Sequence, residues 1–165
     1  MKRRRYLAIS TSIGAVSISG CSSIGGPTYS ANASEYLLPF EEVNRILLGN
    51  ASGREVEYKE DAEVDSGRSY RFQAGSLAEF GLLVFKSIDD AETAYEDLVW
   101  QVNNTGATRG QQVDLGSEGI YDEVAGSRLL GVRLDNVTIQ LNGRTSPRVM
   151  QRLAAAQIDR IQRIG

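Results

Sequence analysis

The sequence predicts an α+β domain, an antiparallel sheet with helices packed on one face, preceded by a signal peptide and a flexible tether. Three observations carry that prediction. Apolar residues recur at every second position in several stretches between 55 and 141, the period of half-buried strands. Other stretches, before, between and after these, space their apolar residues three and four apart, the period of a helix packed on one side. One segment, 130–141, folds back on itself with all its cross-strand pairs apolar on one face, so neighbouring strands run antiparallel.

Pro39-Phe40-Glu41-Glu42 opens a short helix, since Pro fits the first turn and acids favour the positive helix end. Phe40, Val43, Ile46 and Leu47 share one face, and Gly49 stops it. Residues 55–65 set Val56, Tyr58, Ala62 and Val64 against Glu55, Glu57, Lys59, Asp61 and Glu63, which predicts one strand with a solvated acidic face. Tyr70, Phe72 and Ala74 alternate with Arg71 and Gln73 in the next strand, and the apolar run 80–86 suits a central one. Ser87 and Asp90 start a second helix in the manner of a capping box. Its stripe is Ile88, Ala91, Tyr95, Leu98 and Val102, and it ends at Asn103-Asn104-Thr105-Gly106. Short strands at 111–115 and 120–122 flank the turn Gly116-Ser117-Glu118-Gly119. With Asp135-Asn136 as a two-residue turn, Leu134 faces Val137, Val132 faces Ile139 and Leu130 faces Leu141. Ser146-Pro147 then begins a last helix carrying Val149, Leu153, Ile158, Ile161 and Ile164.

Composition narrows the chemistry. Residues 1–20 hold four of the 18 basic groups (Lys2, Arg3, Arg4, Arg5) and no acid; the rest keeps 14 against 21 acidic groups, a net of −7. An acidic chain of this kind is a poor partner for nucleic acid. The sequence has no His, which removes the usual general base near neutral pH and every Ser–His–Asp or Cys–His arrangement. A single Cys excludes internal disulfides and Cys-based zinc sites. No catalytic residue, metal ligand set or cofactor is therefore expected. Carboxylate pairs such as Asp114 with Glu118, or Asp122 with Glu123, leave a hydrolase as the enzymatic alternative, but among 21 acids some pair always lies close. Outward carboxylates on the 55–65 strand lie roughly 7 Å apart and show no EF-hand spacing, so they read as a solvated face and not as a cation site. The Gly116-Ser117-Glu118-Gly119 turn lacks the Lys and following helix of a phosphate loop. Trp100 falls off the main stripe of its helix; a wide apolar face or rim packing is the expectation there and a binding surface the alternative.

The N-terminal residues carry an address. Residues 1–20 have a basic start and a mildly apolar stretch of about 14 residues, short of the roughly 20 a membrane-spanning helix needs. Arg3-Arg4-Arg5-Tyr6-Leu7 resembles the twin-arginine consensus, with Arg3, Arg4, Tyr6 and Leu7 as the matching positions. Ile18, Ser19, Gly20 and Cys21 resemble a lipobox, in which the Cys is lipidated and becomes the mature N-terminus. The organisation expected is a signal peptide over 1–20, lipidated Cys21 with a flexible tether over 21–35, and one domain over 36–165. The resemblance implies passage through the twin-arginine (Tat) machinery and anchoring at the outer face of the cytoplasmic membrane. With the acidic composition, the chain resembles lipoproteins of halophilic archaea. Four sequons, at Asn32, Asn50, Asn103 and Asn136, are candidate N-glycosylation sites in an exported protein.

Leu37-Leu38-Pro39-Phe40-Glu41-Glu42-Val43-Asn44, the strand and helix over 85–98, Val113-Asp114-Leu115-Gly116-Ser117-Glu118 and Val132-Arg133-Leu134-Asp135-Asn136-Val137 resemble the extracellular sensor domain of the PknH kinase family. That resemblance implies an antiparallel sheet flanked by helices and a cleft for a small ligand. Actinobacterial members carry disulfides and a kinase that this chain lacks, so no binding residue is carried over. The function expected is a lipid-anchored, non-catalytic binding or sensor-like domain for a small ligand or an envelope protein. An accessory structural subunit of an envelope complex is the second reading, and a carboxylate-dependent hydrolase the third.

Overall fold

The computed structural model describes residues 29–49, 51–58, 63–105 and 110–165. Helices α1 (Ala33–Tyr36) and α2 (Phe40–Ile46) precede strands β1 (Ser52–Glu57), β2 (Val64–Ala74) and β3 (Leu77–Phe85). Helix α3 (Ile88–Thr105) leads to β4 (Gln111–Gln112), β5 (Glu118–Val124), β6 (Ser127–Leu134) and β7 (Val137–Gly143), and α4 (Pro147–Ile164) closes the chain. All seven strands form one antiparallel sheet in the order β1-β2-β3-β7-β6-β5-β4. The fold is α+β, as the sequence predicts.

The topology is two meanders joined by one crossover. β1, β2 and β3 run from one edge to the middle; α3 then carries the chain to the opposite edge, and β4 to β7 return until β7 pairs with β3. Because residues on a strand alternate sides, pairing fixes which side chains share a face. Phe80, Leu82 and Val84 stand opposite Leu141, Ile139 and Val137, which in turn stand opposite Leu130, Val132 and Leu134. All nine are buried in one cluster with α1, α2 and α4. The expected hairpin pairs and the Asp135 turn, at φ +52°, are all present.

The second face carries the crossover. Its residues include Gly81, Gln140, Gly131, Ile120 and Leu129, and α3 lies across them with Tyr95, Val102 and Ile120 buried in a separate small cluster. A Cβ placed on Gly131 would fall inside the Leu98 side chain, so glycine lets this helix approach the middle of the sheet. Three helices therefore pack on one face, and α3 occupies the other.

The expectation of helices on one face holds for α1, α2 and α4 but not for α3, and two further expectations need correction. Residues 55–65 are not one strand: β1 ends at Glu57 and β2 begins at Val64, antiparallel to it, with Val56 opposite Ser69 and Glu57 opposite Arg68. Alternation keeps its parity through the reversal, so the period alone does not reveal it. Residues 29–35, expected in the tether, also belong to the folded domain. Asn32 caps α1 and forms a capping box with Glu35. Tyr29 and Ala33 are buried in the main cluster, and Tyr29 meets Tyr36 edge-on at 6.0 Å.

Polar side chains from distant segments complete this N-terminal packing. Asn136 Oδ1 accepts from Tyr29 N at 2.8 Å, and its Nδ2 donates to Tyr29 O at 2.8 Å and Phe85 O at 2.9 Å. Gln157 on α4 accepts from Leu38 N at 3.0 Å and donates to Tyr36 O at 2.8 Å. These amides satisfy backbone groups that a four-residue helix and a buried connection leave without regular partners.

Candidate functional site

Among the described residues, a wide cleft of about 610 Å³ opens between the outer side of α3 and the β4–β5 edge. One wall is a helical row, since residues four apart lie above one another: Glu92, Glu96 and Trp100. The other wall is the connection from β4 into β5, contributing Gln112, Val113, Ser117 and Glu118. Tyr95, Val99 and Ile120 line the space between the walls.

Local sequence explains both walls. Ser87 Oγ accepts from Asp90 N at 3.1 Å and donates to Asp90 Oδ2 at 2.6 Å, which starts α3 as expected. At its other end, Asn104 Nδ2 donates to Trp100 O at 2.7 Å, and Asn103 Oδ1 accepts from Gly110 N at 3.2 Å. Gly110 packs closely: a Cβ there would meet Val102 Cγ1 and Ile120 Cδ1 at 2.6 Å, so those side chains would have to shift. Ser117 N donates to Arg133 O at 2.8 Å, and Gly116, at φ +65°, makes the turn into β5.

The site is aromatic, amide-rich and acidic. Trp100 is 62 % exposed and belongs to neither buried cluster. Tyr95, only 7 % exposed, has its phenol pushed up to about 12, mainly by burial and then by the Glu118 charge, with Arg133 opposing. It is therefore a neutral hydroxyl at any physiological pH. Glu118 is held by Arg133 on the paired strand, Nε to Oε2 at 2.9 Å. Among the described residues, neither Glu92 nor Glu96 takes part in an ion pair.

The other candidate residues fall as follows. Arg3, Arg4, Tyr6, Leu7, Ile18, Ser19, Gly20 and Cys21 lie outside the described residues, as does Asn50. Asn32 is exposed at the start of α1, and Asn103 is exposed at the cleft. Asn136 is a correction: it is 1 % exposed with its Nδ2 donating to two carbonyls, so no glycan fits on that nitrogen in the fold. Glu55 and Glu57 flank Arg68, at 3.7 and 3.2 Å, so one guanidinium pairs with both carboxylates. Among the described residues, no three His, Cys, Asp or Glu side chains group as metal ligands would. Asp122 and Glu123 point to opposite faces of β5; Glu123 accepts from Arg128 through both oxygens, at 3.0 and 3.1 Å. Of the cleft residues, sequence reading singled out Trp100 alone as a binding candidate, although the Glu92/Glu96/Trp100 spacing was visible on a capped helix.

No protein-family model and no curated protein matches the chain. Among solved structures, a GTP binding regulator from Thermotoga maritima superposes with a TM-score of 0.41 and 13 % identity, over 77 % of this chain and 87 % of that one.

Proposed function

We propose that this protein is a non-catalytic binding domain, held at the outer face of the cytoplasmic membrane by a lipid on Cys21, that takes a small ligand in the α3–β5 cleft. The observation that carries the reading is the cleft itself. Its volume of about 610 Å³ lies in the range of small-molecule sites, with an apolar floor and a few convergent polar groups. A structural subunit docking here would need a broad apolar patch around Trp100. The exposed residues that line the cleft with Trp100 include Glu96, Asn103, Asn104 and Gln112, while Val99, Val113 and Ile120 are less exposed, which suits a small polar ligand better. Hydrolysis through carboxylates needs two that converge with different environments. Glu92 and Glu96 share one helix wall with the same exposure, and Glu118 is already neutralised by Arg133. Among the described residues, no helix is long and apolar enough to cross a membrane, and a lipid at Cys21 supplies the attachment.

The test is a fragment screen against the full chain in detergent, read by amide shifts. Shifts clustering on Glu92, Tyr95, Gln112 and Ser117 support the reading. A screen in which no fragment perturbs these residues overturns it. The anchor has its own arm: Cys21→Ser is expected to release the chain from membranes, and retention at unchanged size refutes the lipid.

A further inference from the structure

From the cleft lining, we infer that its ligand is a small organic cation, with a quaternary or protonated nitrogen seated against Trp100 and between the Glu92 and Glu96 carboxylates. This rests on the cleft being the binding site and adds the chemical class. Two independent features point the same way.

The first is a local conflict in α3. Glu92 and Glu96 are one turn apart on the same face, where like charges destabilise a helix. Among the described residues lining the cleft there is no Lys or Arg to offset them. A conflict of this kind, kept where nothing in the fold requires it, is the pattern of a site whose missing charge arrives with the ligand. The second feature is the exposed ring. An indole is the strongest aromatic partner for a cation, and this one continues the carboxylate row by one more turn. The neutral Tyr95 hydroxyl and the Gln112, Asn103 and Asn104 amides are uncharged polar groups that oppose no cation. The cleft is bounded on two sides, by the helix and by the β4–β5 connection, which suits a compact molecule better than an extended chain.

Trp100 is the one tryptophan of the sequence, so its fluorescence reports this cleft without interference. Choline and tetramethylammonium, titrated into the full chain in a non-ionic detergent, are expected to give a saturable fluorescence change. The uncharged isostere 3,3-dimethylbutan-1-ol is expected to bind about tenfold more weakly or not at all. A Glu92→Gln/Glu96→Gln variant keeps the reporter and relieves the like-charge pair, so it stays folded. Its affinity for choline is expected to fall about tenfold, and added salt should weaken the parent but not this variant. Equal binding of choline and its isostere, no binding of either cation, or unchanged affinity in the double variant each overturns the cation assignment. If other fragments still move the cleft amides, the binding-site reading survives that failure; if none does, both fall.

Discussion

Asn136→Ala tests the account of how the N-terminal segment is fixed. The side chain makes three hydrogen bonds, to Tyr29 N, Tyr29 O and Phe85 O, all between 2.8 and 2.9 Å and all buried. At about 1 kcal/mol net for each, their loss costs ~3 kcal/mol, and desolvated partners left without a bond raise this toward about 5 kcal/mol. A domain of this size has about 5–15 kcal/mol in all, so the variant loses a large fraction. In urea, with a slope near 2 kcal/mol per molar, the midpoint falls by about 1.5–2.5 M at unchanged slope. Asn136→Asp adds a sign that alanine lacks. It keeps the acceptor for Tyr29 N but turns a carboxyl toward two carbonyl oxygens, which raises its folded pKa above the unfolded value near 3.9. Below that value both states bind the proton and the penalty is small; it grows as pH rises toward neutrality. Equilibrium unfolding at pH 4 and pH 7 reads both variants. A loss below 1 kcal/mol for Asn136→Ala, or an Asn136→Asp penalty that shrinks as pH rises, would refute the buried amide as the anchor.

Two further perturbations probe the second face and the β5–β6 hairpin. Gly131→Ala pushes a methyl into Leu98 and is expected to cost about 1–3 kcal/mol. Leu98→Ala should recover part of that loss, so the two effects fail to add in a double-mutant cycle, and simple additivity would contradict the close approach of α3. Glu123 has its carboxyl held below the usual value, first by the Arg128 hydrogen bond and then by the one from Tyr121. Its stabilising effect is complete above the ordinary carboxylate range and is lost as pH falls through its lowered folded pKa. Glu123→Gln should therefore be less stable than the parent at pH 7 and converge with it in acid; a gap that widens in acid would count against the pairing.

What could be read from the sequence was local, and what could not was set by distant partners. The hairpin at 130–141 was legible to the level of register because its turn and its alternation lie within twelve residues. The start of α3 was legible for the same reason, through Ser87 and Asp90. Gln157 was not. It reads as a polar break in the stripe of α4, yet it is fully buried, because its amide binds the backbone at Tyr36 and Leu38, over a hundred residues away. The extent of the domain was misread for a related reason. Tyr29 and Ala33 sit in a run of small and polar residues and are ordered by Asn136 and the main core. The second buried face had left a trace: Ile120, Gly131 and Leu129 are apolar or side-chain-free where a solvated face would be polar.

The candidate cleft was legible on one wall alone, and the topology explains why. The Glu92/Glu96/Trp100 row needs only a helix, so it is written in consecutive turns of sequence. The opposing wall exists because a chain leaving β3 in the middle of the sheet must reach β4 at its far edge, which lays α3 over β3, β7 and β6. β4 is only two residues long, and the connection behind it turns back at Gly116. A gap between helix and sheet edge therefore follows from the crossover and not from the packing of the main core. The small cluster under α3 shares no residue with the large one under α4. Exposed cleft residues such as Glu92, Glu96 and Trp100 are members of neither cluster. Substitutions there can change what the cleft holds while leaving the stability of the main core in place, which makes the site separable from the fold that presents it.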